Sequence, residues 1–401
     1  MKNKVLFIAY EMPPRWGPHA LRIAYFCKYL HEYGWDVGAI GCAPWDGYED
    51  YTLAEKIPFD VCVVRIPQEK TGLLSSAIWT WRAVREGLRL IRKDRPDILL
   101  TSAPQYISHM AGFIISLLTK IPWVADYGDP FTHHAAYRRN RLNQSLVYTL
   151  EKAWLKQASR IILVTKEAKE HYDNVFPMKQ GKCEWIPLGY DPEDHKYFRS
   201  DKIDSKFRIA FAGSLHQVMS EGPKEFFKGV VSACRQSEKF RNETVIDIIS
   251  RENAELLMQE VVPKELHGIF KFHGHLSKMS DLFGFLSSAS CFVAWGFRGG
   301  LQLPSKIYIY FGLKKPILGI MCDSIDPMRD ILEDNRRGLV VNNSETEIAL
   351  GLMQLFEIHQ SGQARMRFNL RDIEEFTWPK LTQSLDAVLK ETVSKADNDG
   401  D

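Results

Sequence analysis

Four segments of the chain carry side chains and spacings that could do chemistry. The first is Leu303-Pro304-Ser305-Lys306-Ile307-Tyr308-Ile309-Tyr310-Phe311-Gly312-Leu313-Lys314-Lys315-Pro316. A glycine-rich approach (Gly296, Gly299, Gly300) runs into a short predicted helix with Ser305 and Lys306 at its start. An apolar strand, Ile317 to Ile320, follows. A helix start offers backbone N–H groups and a positive dipole end, so it suits an anion. A lysine there adds a mobile charge able to hold a diphosphate. An ordinary helix-then-strand unit with a solvated Lys306 fits the same residues.

The second segment, Asp126-Tyr127-Gly128-Asp129-Pro130-Phe131-Thr132-His133-His134, sits at the end of a predicted strand. Two carboxylates and two imidazoles raise the question of a metal, but adjacent histidines direct their rings apart, so no metal is expected. Asp129 suits a substrate-hydroxyl acceptor or a helix cap, and His133 lies close by in sequence. The third, Pro13-Pro14-Arg15-Trp16-Gly17-Pro18-His19-Ala20, links the first strand to the first helix. It is not G-x-G-x-x-G, so a dinucleotide has little support. Arg15 and Arg22 could meet an anionic group, or the prolines simply shape a surface loop. In the fourth, Phe272-His273-Gly274-His275-Leu276-Ser277, Gly274 would let main chain approach a flat group such as a base. Nothing resembles a Ser/His/Asp triad, a P-loop or a deaminase site.

The elements that must position these segments follow from periodicity. Val5 to Ala9 is an all-apolar run suited to a buried parallel strand, and strands at Val37 to Ile40, Cys62 to Ile66, Ile98 to Thr101, Trp123 to Asp126 and Arg160 to Val164 continue the series. Helical patterns fall at 20–33, 77–93, 105–119 and 142–158. The rhythm restarts with a strand at Phe207 to Phe211, a helix at Lys224 to Arg235, and strands at Val245 to Ile249, Phe270 to Phe272, Ser290 to Ala294, Ile317 to Ile320 and Gly338 to Val341. Such βαβα alternation predicts α/β architecture with two doubly wound parallel sheets. A polar stretch from Asp191 to Ser205 is the linker candidate between domains over 1–195 and 205–375. Ligands are expected in a cleft at the C-terminal strand edges.

Composition agrees with a globular protein of two domains: 401 residues, 45% hydrophobic and 25% charged. A net charge of +2 gives no argument for nucleic acid. Residues 1–200 hold 27 Lys+Arg against 22 Asp+Glu, which makes that half about +5 and the rest about −3. Seven scattered cysteines without a C-x-x-C pair read as buried, reduced thiols of a cytosolic protein. No stretch reaches the ~20 apolar residues of a spanning helix. The segment Ser75 to Arg95 interleaves Ile78, Trp79, Trp81, Val84, Leu88 and Ile91 with Arg82, Arg85, Arg89, Arg92, Lys93 and Arg95. It suits the surface of an anionic membrane, or a sheet-covering helix with a solvated basic face.

These segments occur in an order that resembles family-four glycosyltransferases of the GT-B fold. The resemblance rests on Leu6-Phe7-Ile8 with Pro13-Pro14 and Gly17 to Arg22, Tyr33-Gly34-Trp35-Asp36-Val37, Pro122 to Pro130, Ile186-Pro187-Leu188-Gly189-Tyr190-Asp191, Phe211-Ala212-Gly213-Ser214-Leu215, His273-Gly274-His275 and Pro304-Ser305-Lys306 to Pro316. It implies two Rossmann-like domains, with a nucleotide-sugar donor held mainly by the second and a glycan or lipid-linked acceptor by the first. Transfer would retain anomeric configuration and need no cofactor or metal. By the same resemblance Gly213, Ser214 and Leu215 approach the diphosphate, and Gly274, His275 and Leu276 hold the base. Lys306 meets the leaving diphosphate, Lys224 makes a second phosphate contact, and Gly17 closes over the donor. Arg15, Arg22 and His133 fall on the acceptor side, and Asp129 orients a sugar. A C-terminal helix over 379–394 would return to the first domain.

The chain also departs from the pattern. The family's ribose-binding glutamate, three positions after Lys306, is Ile309 here, and its partner glutamate falls at Leu301. An apolar side chain cannot accept those bonds, and each lost bond to a buried hydroxyl costs about 1–3 kcal/mol. The expectation is therefore a hexosyltransferase-like enzyme of polysaccharide biosynthesis, cytoplasmic or at the inner face of the membrane. The alternative is a non-catalytic GT-B protein that binds a partner or glycan. An epimerase of the same fold would need a carboxylate-rich site for proton chemistry.

Overall fold

The computed structural model describes the chain apart from residues 1, 45–48, 69–71, 133–140, 177–180, 199–205, 215–221, 251–253, 277 and 399–401. His133, Leu215 and Ser277 therefore lie outside the described residues. The chain divides into two α/β units, Met1–Gly189 with Glu375–Asp401, and Tyr190–Glu374.

The first unit runs β1 (Asn3–Ala9), α1 (Pro18–Glu32), β2 (Trp35–Cys42), α2 (Tyr51–Ala54), β3 (Cys62–Ile66), α3 (Leu73–Lys93), β4 (Ile98–Ala103), α4 (Ile107–Thr119), β5 (Trp123–Tyr127), α5 (Arg141–Gln157), β6 (Arg160–Leu163), α6 (Lys166–Val175) and β7 (Cys183–Trp185). Its strands lie in the order β3-β2-β1-β4-β5-β6-β7, and every pairing is parallel. Both faces are covered, so β4 and β5 are buried at every residue. The order reverses between β1 and β4, and the loops leaving that point diverge to opposite faces. Helix α1 opens with Pro18, whose missing N–H costs nothing at a helix start, and Gly34 stops it at φ +85°.

The second unit runs β8 (Phe207–Ala212), α7 (Gly222–Gln236), α8 (Glu238–Glu243), β9 (Thr244–Ile249), α9 (Ala254–Val261), β10 (Phe270–Phe272), α10 (Met279–Leu286), β11 (Cys291–Trp295), α11 (Lys306–Gly312), β12 (Ile317–Met321), α12 (Pro327–Asp334), β13 (Gly338–Asn342), α13 (Glu345–Gln360) and α14 (Ala364–Arg367). Its sheet is also parallel, ordered β10-β9-β8-β11-β12-β13, and reverses between β8 and β11. Ile209, Phe211, Val293 and Trp295 face α7 and α13, where Phe226, Val230 and Leu352 complete one core. Pro192–Tyr197, within the polar stretch read as a linker, is a short 3-10 helix of this unit.

The last helix, α15 (Trp378–Asn398), belongs to the first unit. The Trp378 ring stacks on Tyr25 at 5.4 Å and meets Phe26 edge-on, while Asp386 accepts a 2.7 Å bond from the Trp35 indole N–H. Two expectations from sequence need correction. Cys62 is exposed rather than buried, because β3 is an edge strand. The tryptophans of α3 also part company: Trp79 is buried in the core and Trp81 is exposed.

Candidate functional site

In the first unit, the segments singled out from sequence leave the C-terminal ends of β1 and β5. Arg22 is fully buried, and every guanidinium nitrogen is used. Nε and Nη2 grip the Asp126 carboxylate at 2.8–3.2 Å, Nη1 donates to the Pro187 carbonyl at 2.7 Å, and Nη2 donates to the Ile186 carbonyl at 3.0 Å. Ser102 donates to the same carboxylate. Expected on the acceptor side, Arg22 is instead an internal clamp that holds the chain ahead of Gly189. Arg15 is buried too, with its guanidinium over the Tyr10 ring and 3.9 Å from Glu11. Gly17 precedes Pro18 at the uncapped start of α1, with φ 163° and only ordinary contacts for an added Cβ. No demand for glycine arises there from the backbone.

Gly128 lies against the His19 ring, at a place where a Cβ would come within 1.6 Å of it. Burial lowers the His19 pKa to about 4, Asp126 opposing and Arg22 adding to the shift, so the imidazole is neutral at neutral pH. Asp129 follows, half-buried, in a turn pinned from below. Tyr106 donates to the Asp129 carbonyl at 2.9 Å, the Phe131 N–H donates to the Tyr172 hydroxyl at 3.2 Å, and the Thr132 N–H donates to Glu151 at 2.9 Å. The Thr132 and Tyr172 hydroxyls also donate to the Glu151 carboxylate. Burial raises the Glu151 pKa against these bonds. Asp129 thus stands on a turn held by α5, α6 and the residue that leads into α4.

In the second unit, β8, β10 and β11 release Gly213-Ser214, His273-Gly274-His275 and the approach to Lys306 at one edge of the sheet. The Gly213 N–H extends the ladder to the Ile249 carbonyl, and an added Cβ would press on the Phe211 ring at 3.0 Å. Asp247, a lone carboxylate in an apolar strand, is fully buried; it accepts from Arg208 at 2.6 Å and from the His273 Nε2–H at 2.7 Å. His273 is thereby fixed, and the chain turns at once through Gly274 at φ +55°, with open space where a Cβ would stand. Gly274 and His275 are exposed and Leu276 half-buried, so the turn offers main chain to a ligand.

Lys306 begins α11 and is half-buried; Ser305 precedes it with helical dihedrals and no side-chain cap. The first turn is tight. Ile307 N–H donates to the Pro304 carbonyl and Tyr308 N–H to the Ser305 carbonyl, so these two amides are used within the turn. One turn on, Tyr310 stacks on Phe292 at 4.1 Å, and its hydroxyl accepts a 3.0 Å bond from Ala212 N–H. That bond ties α11 to the residue before Gly213. Sequence reading passed over Tyr310, although its i+4 spacing from Lys306 was visible. Ile309 is buried, and Leu301 is half-buried. Lys224, expected as a second phosphate contact, pairs with Glu260 at 2.8 Å on the surface because α7 lies beside α9. The glycine-rich approach is held by Asp323, which accepts from the Gly299 N–H at 3.2 Å. Among the described residues, no three His, Cys, Asp or Glu side chains come together as a metal site.

Two parallel, doubly wound sheets, each with a switch point, define the GT-B fold. Comparison with known proteins agrees. Residues 20–194 match the family model described as Glycosyltransferase Family 4, somewhat less than half of the chain. No curated protein is similar enough in sequence to count as a relative. Among solved structures, the chain is similar to sucrose-phosphate synthase from Thermosynechococcus elongatus, with a TM-score of 0.69, 14% identity, and coverage of 98% of this chain and 100% of that one. It is similar to Anabaena HepE in complex with UDP (TM-score 0.64, 12% identity, 98% and 100% covered). It is also similar to UDP-GlcNAc 2-epimerase from Neisseria meningitidis bound to UDP-GlcNAc (TM-score 0.61, 12% identity, 97% and 100% covered). At such identities the likeness concerns the fold.

Proposed function

We propose that the protein is a glycosyltransferase that moves a sugar from a nucleotide-sugar donor to a glycan or lipid-linked acceptor. The observation that carries this reading is the gathering of Gly213-Ser214, the Gly274 turn and Lys306 at one edge of the second sheet of a GT-B fold. The match to a glycosyltransferase family model and the UDP and UDP-GlcNAc bound in similar structures support it. Breaking a glycosyl–phosphate bond builds negative charge on the leaving diphosphate, and the Lys306 ammonium stabilises that charge as it forms. The Gly274 turn presents main chain to the base. Asp129, on its braced turn in the first unit, orients the acceptor sugar. Transfer retains configuration, with the leaving phosphate taking the acceptor proton. On this reading the protein works in polysaccharide biosynthesis, in the cytoplasm or against its membrane.

The buried Ile309 favours a second reading, a non-catalytic GT-B protein that binds a partner or glycan, because no carboxylate at that position accepts from the ribose. Binding and hydrolysis measured across UDP-, GDP- and ADP-sugars, with Lys306→Ala as control, separate the two. Turnover that is lost in the variant supports transfer. Binding without turnover supports the second reading, and no binding of any nucleotide sugar sinks the transfer reading. Identification of the released sugar distinguishes transfer or hydrolysis from epimerisation.

A further inference from the structure

We infer that α3 docks the protein on an anionic membrane surface, with its N-terminal half inserted and its C-terminal half lying over the headgroups. The inference stands on the surface of this helix and not on the transfer reaction. Leu74, Ile78, Trp81, Arg85, Arg89 and Arg92 recur every three or four residues, so they form one stripe along the helix. That stripe is the exposed side, since Trp79, Thr80, Ala83, Gly87 and Ile91 are buried on the other. Gly87 sits where a Cβ would meet Ile115, which sets how closely the inner face lies on the unit.

The polarity of the stripe changes along the helix rather than around it. Leu73 is 93% exposed, Leu74 76%, Ile78 42% and Trp81 61%. Three large apolar side chains on a single helical face, with Leu73 exposed beside them at the helix start, are more than the scattered exposure of an ordinary surface. From Arg85 onward the stripe turns basic. Across residues 73–95 there are six basic side chains and two acidic ones, Glu86 and Asp94. Glu86 is shared by Arg85 and Arg89, and Asp94 pairs with Lys4, so the acidic groups do not cancel the excess. Trp81 stands at the junction, with the Arg85 guanidinium 5.2 Å from its ring centroid. An indole with an apolar body and a polar edge suits the depth where acyl chains give way to headgroups.

A bilayer fits better than a protein groove. At 1.5 Å per residue the apolar part spans ~10 Å and the basic part ~12 Å, so each extends over a headgroup-sized distance. The apolar part provides insertion and the arginines provide attraction to anionic lipid. No described helix is long and apolar enough to cross a membrane, so this contact is peripheral.

The test is cosedimentation of the full chain with vesicles of phosphatidylcholine alone and of phosphatidylcholine mixed with phosphatidylglycerol. Wild type should partition onto the mixed vesicles and stay in solution with the neutral ones. The pair Arg85→Glu with Arg89→Glu should weaken partitioning at least ~tenfold. The pair Leu74→Ser with Trp81→Ser should weaken it comparably, and the remaining binding should be lost when salt is raised. All four side chains are solvated, so the unfolding temperature should stay unchanged and marks the variants as folded. Three results would overturn the inference: no binding of wild type to anionic vesicles, unchanged binding of either pair, or equal binding to neutral vesicles. A protein partner recognised by the same stripe would give the first of these.

Discussion

On the proposed reading the Lys306 ammonium meets the diphosphate, while the Ile307 and Tyr308 amides are bonded within the first turn of α11. Lys306→Ala should therefore lower kcat by ~10²–10³ while changing donor affinity much less, because the charge it meets develops in the transition state. Steady-state kinetics with the active donor check this. Arg22 belongs to a different kind of residue. Its guanidinium and the Asp126 carboxylate are both inside, so removing one leaves the other uncompensated. Arg22→Met should cost ~3–5 kcal/mol in urea unfolding. Arg22→Lys should recover little, because an ammonium cannot span Asp126 and the two carbonyls at once.

Among the elements, α4 shows how a helix and a sheet share polar groups. The Trp123 indole donates to the Thr101 hydroxyl at 2.8 Å, and that hydroxyl lies 2.7 Å from His109 Nδ1. Burial lowers the His109 pKa to about 3. Below pH 6.5 the unfolded chain binds a proton that the folded chain refuses until about pH 3, so stability falls as pH falls through that window. His109→Phe removes this term. Wild type should lose stability relative to the variant by up to ~1.4 kcal/mol per pH unit, read from urea midpoints at a series of pH values. The elements themselves were largely legible in sequence. Apolar runs marked twelve of the thirteen strands, because strands covered on both faces leave no other pattern. The short β7, Cys183–Trp185, escaped because three residues with a central glutamate give no run. The site was less legible. Gly274 and Lys306 could be picked out by type, but the ties that fix them, Asp247 to His273 and Tyr310 to Ala212, join residues 26 and 98 apart in sequence. Only the lone aspartate in an apolar strand hinted at the first.

For the whole molecule, nucleotide binding should appear as stabilisation. A donor present at about a hundred times its Kd should add ~2.7 kcal/mol, seen as a rise in unfolding temperature that the wrong nucleotide does not give. The chain path has a further consequence, which concerns the order of synthesis. The first unit is completed by α15, yet that helix follows the whole second unit along the chain. As the nascent chain leaves the ribosome, Tyr25, Phe26 and the Trp35 indole must wait for Trp378 and Asp386 until the whole second unit has been translated. During that interval an aromatic surface lies open, and a chaperone has a defined place to act. A chain stopped after Glu374 should keep that surface permanently and collect in the insoluble fraction, and supplying Glu375–Asp401 as a separate peptide should return part of it to solution.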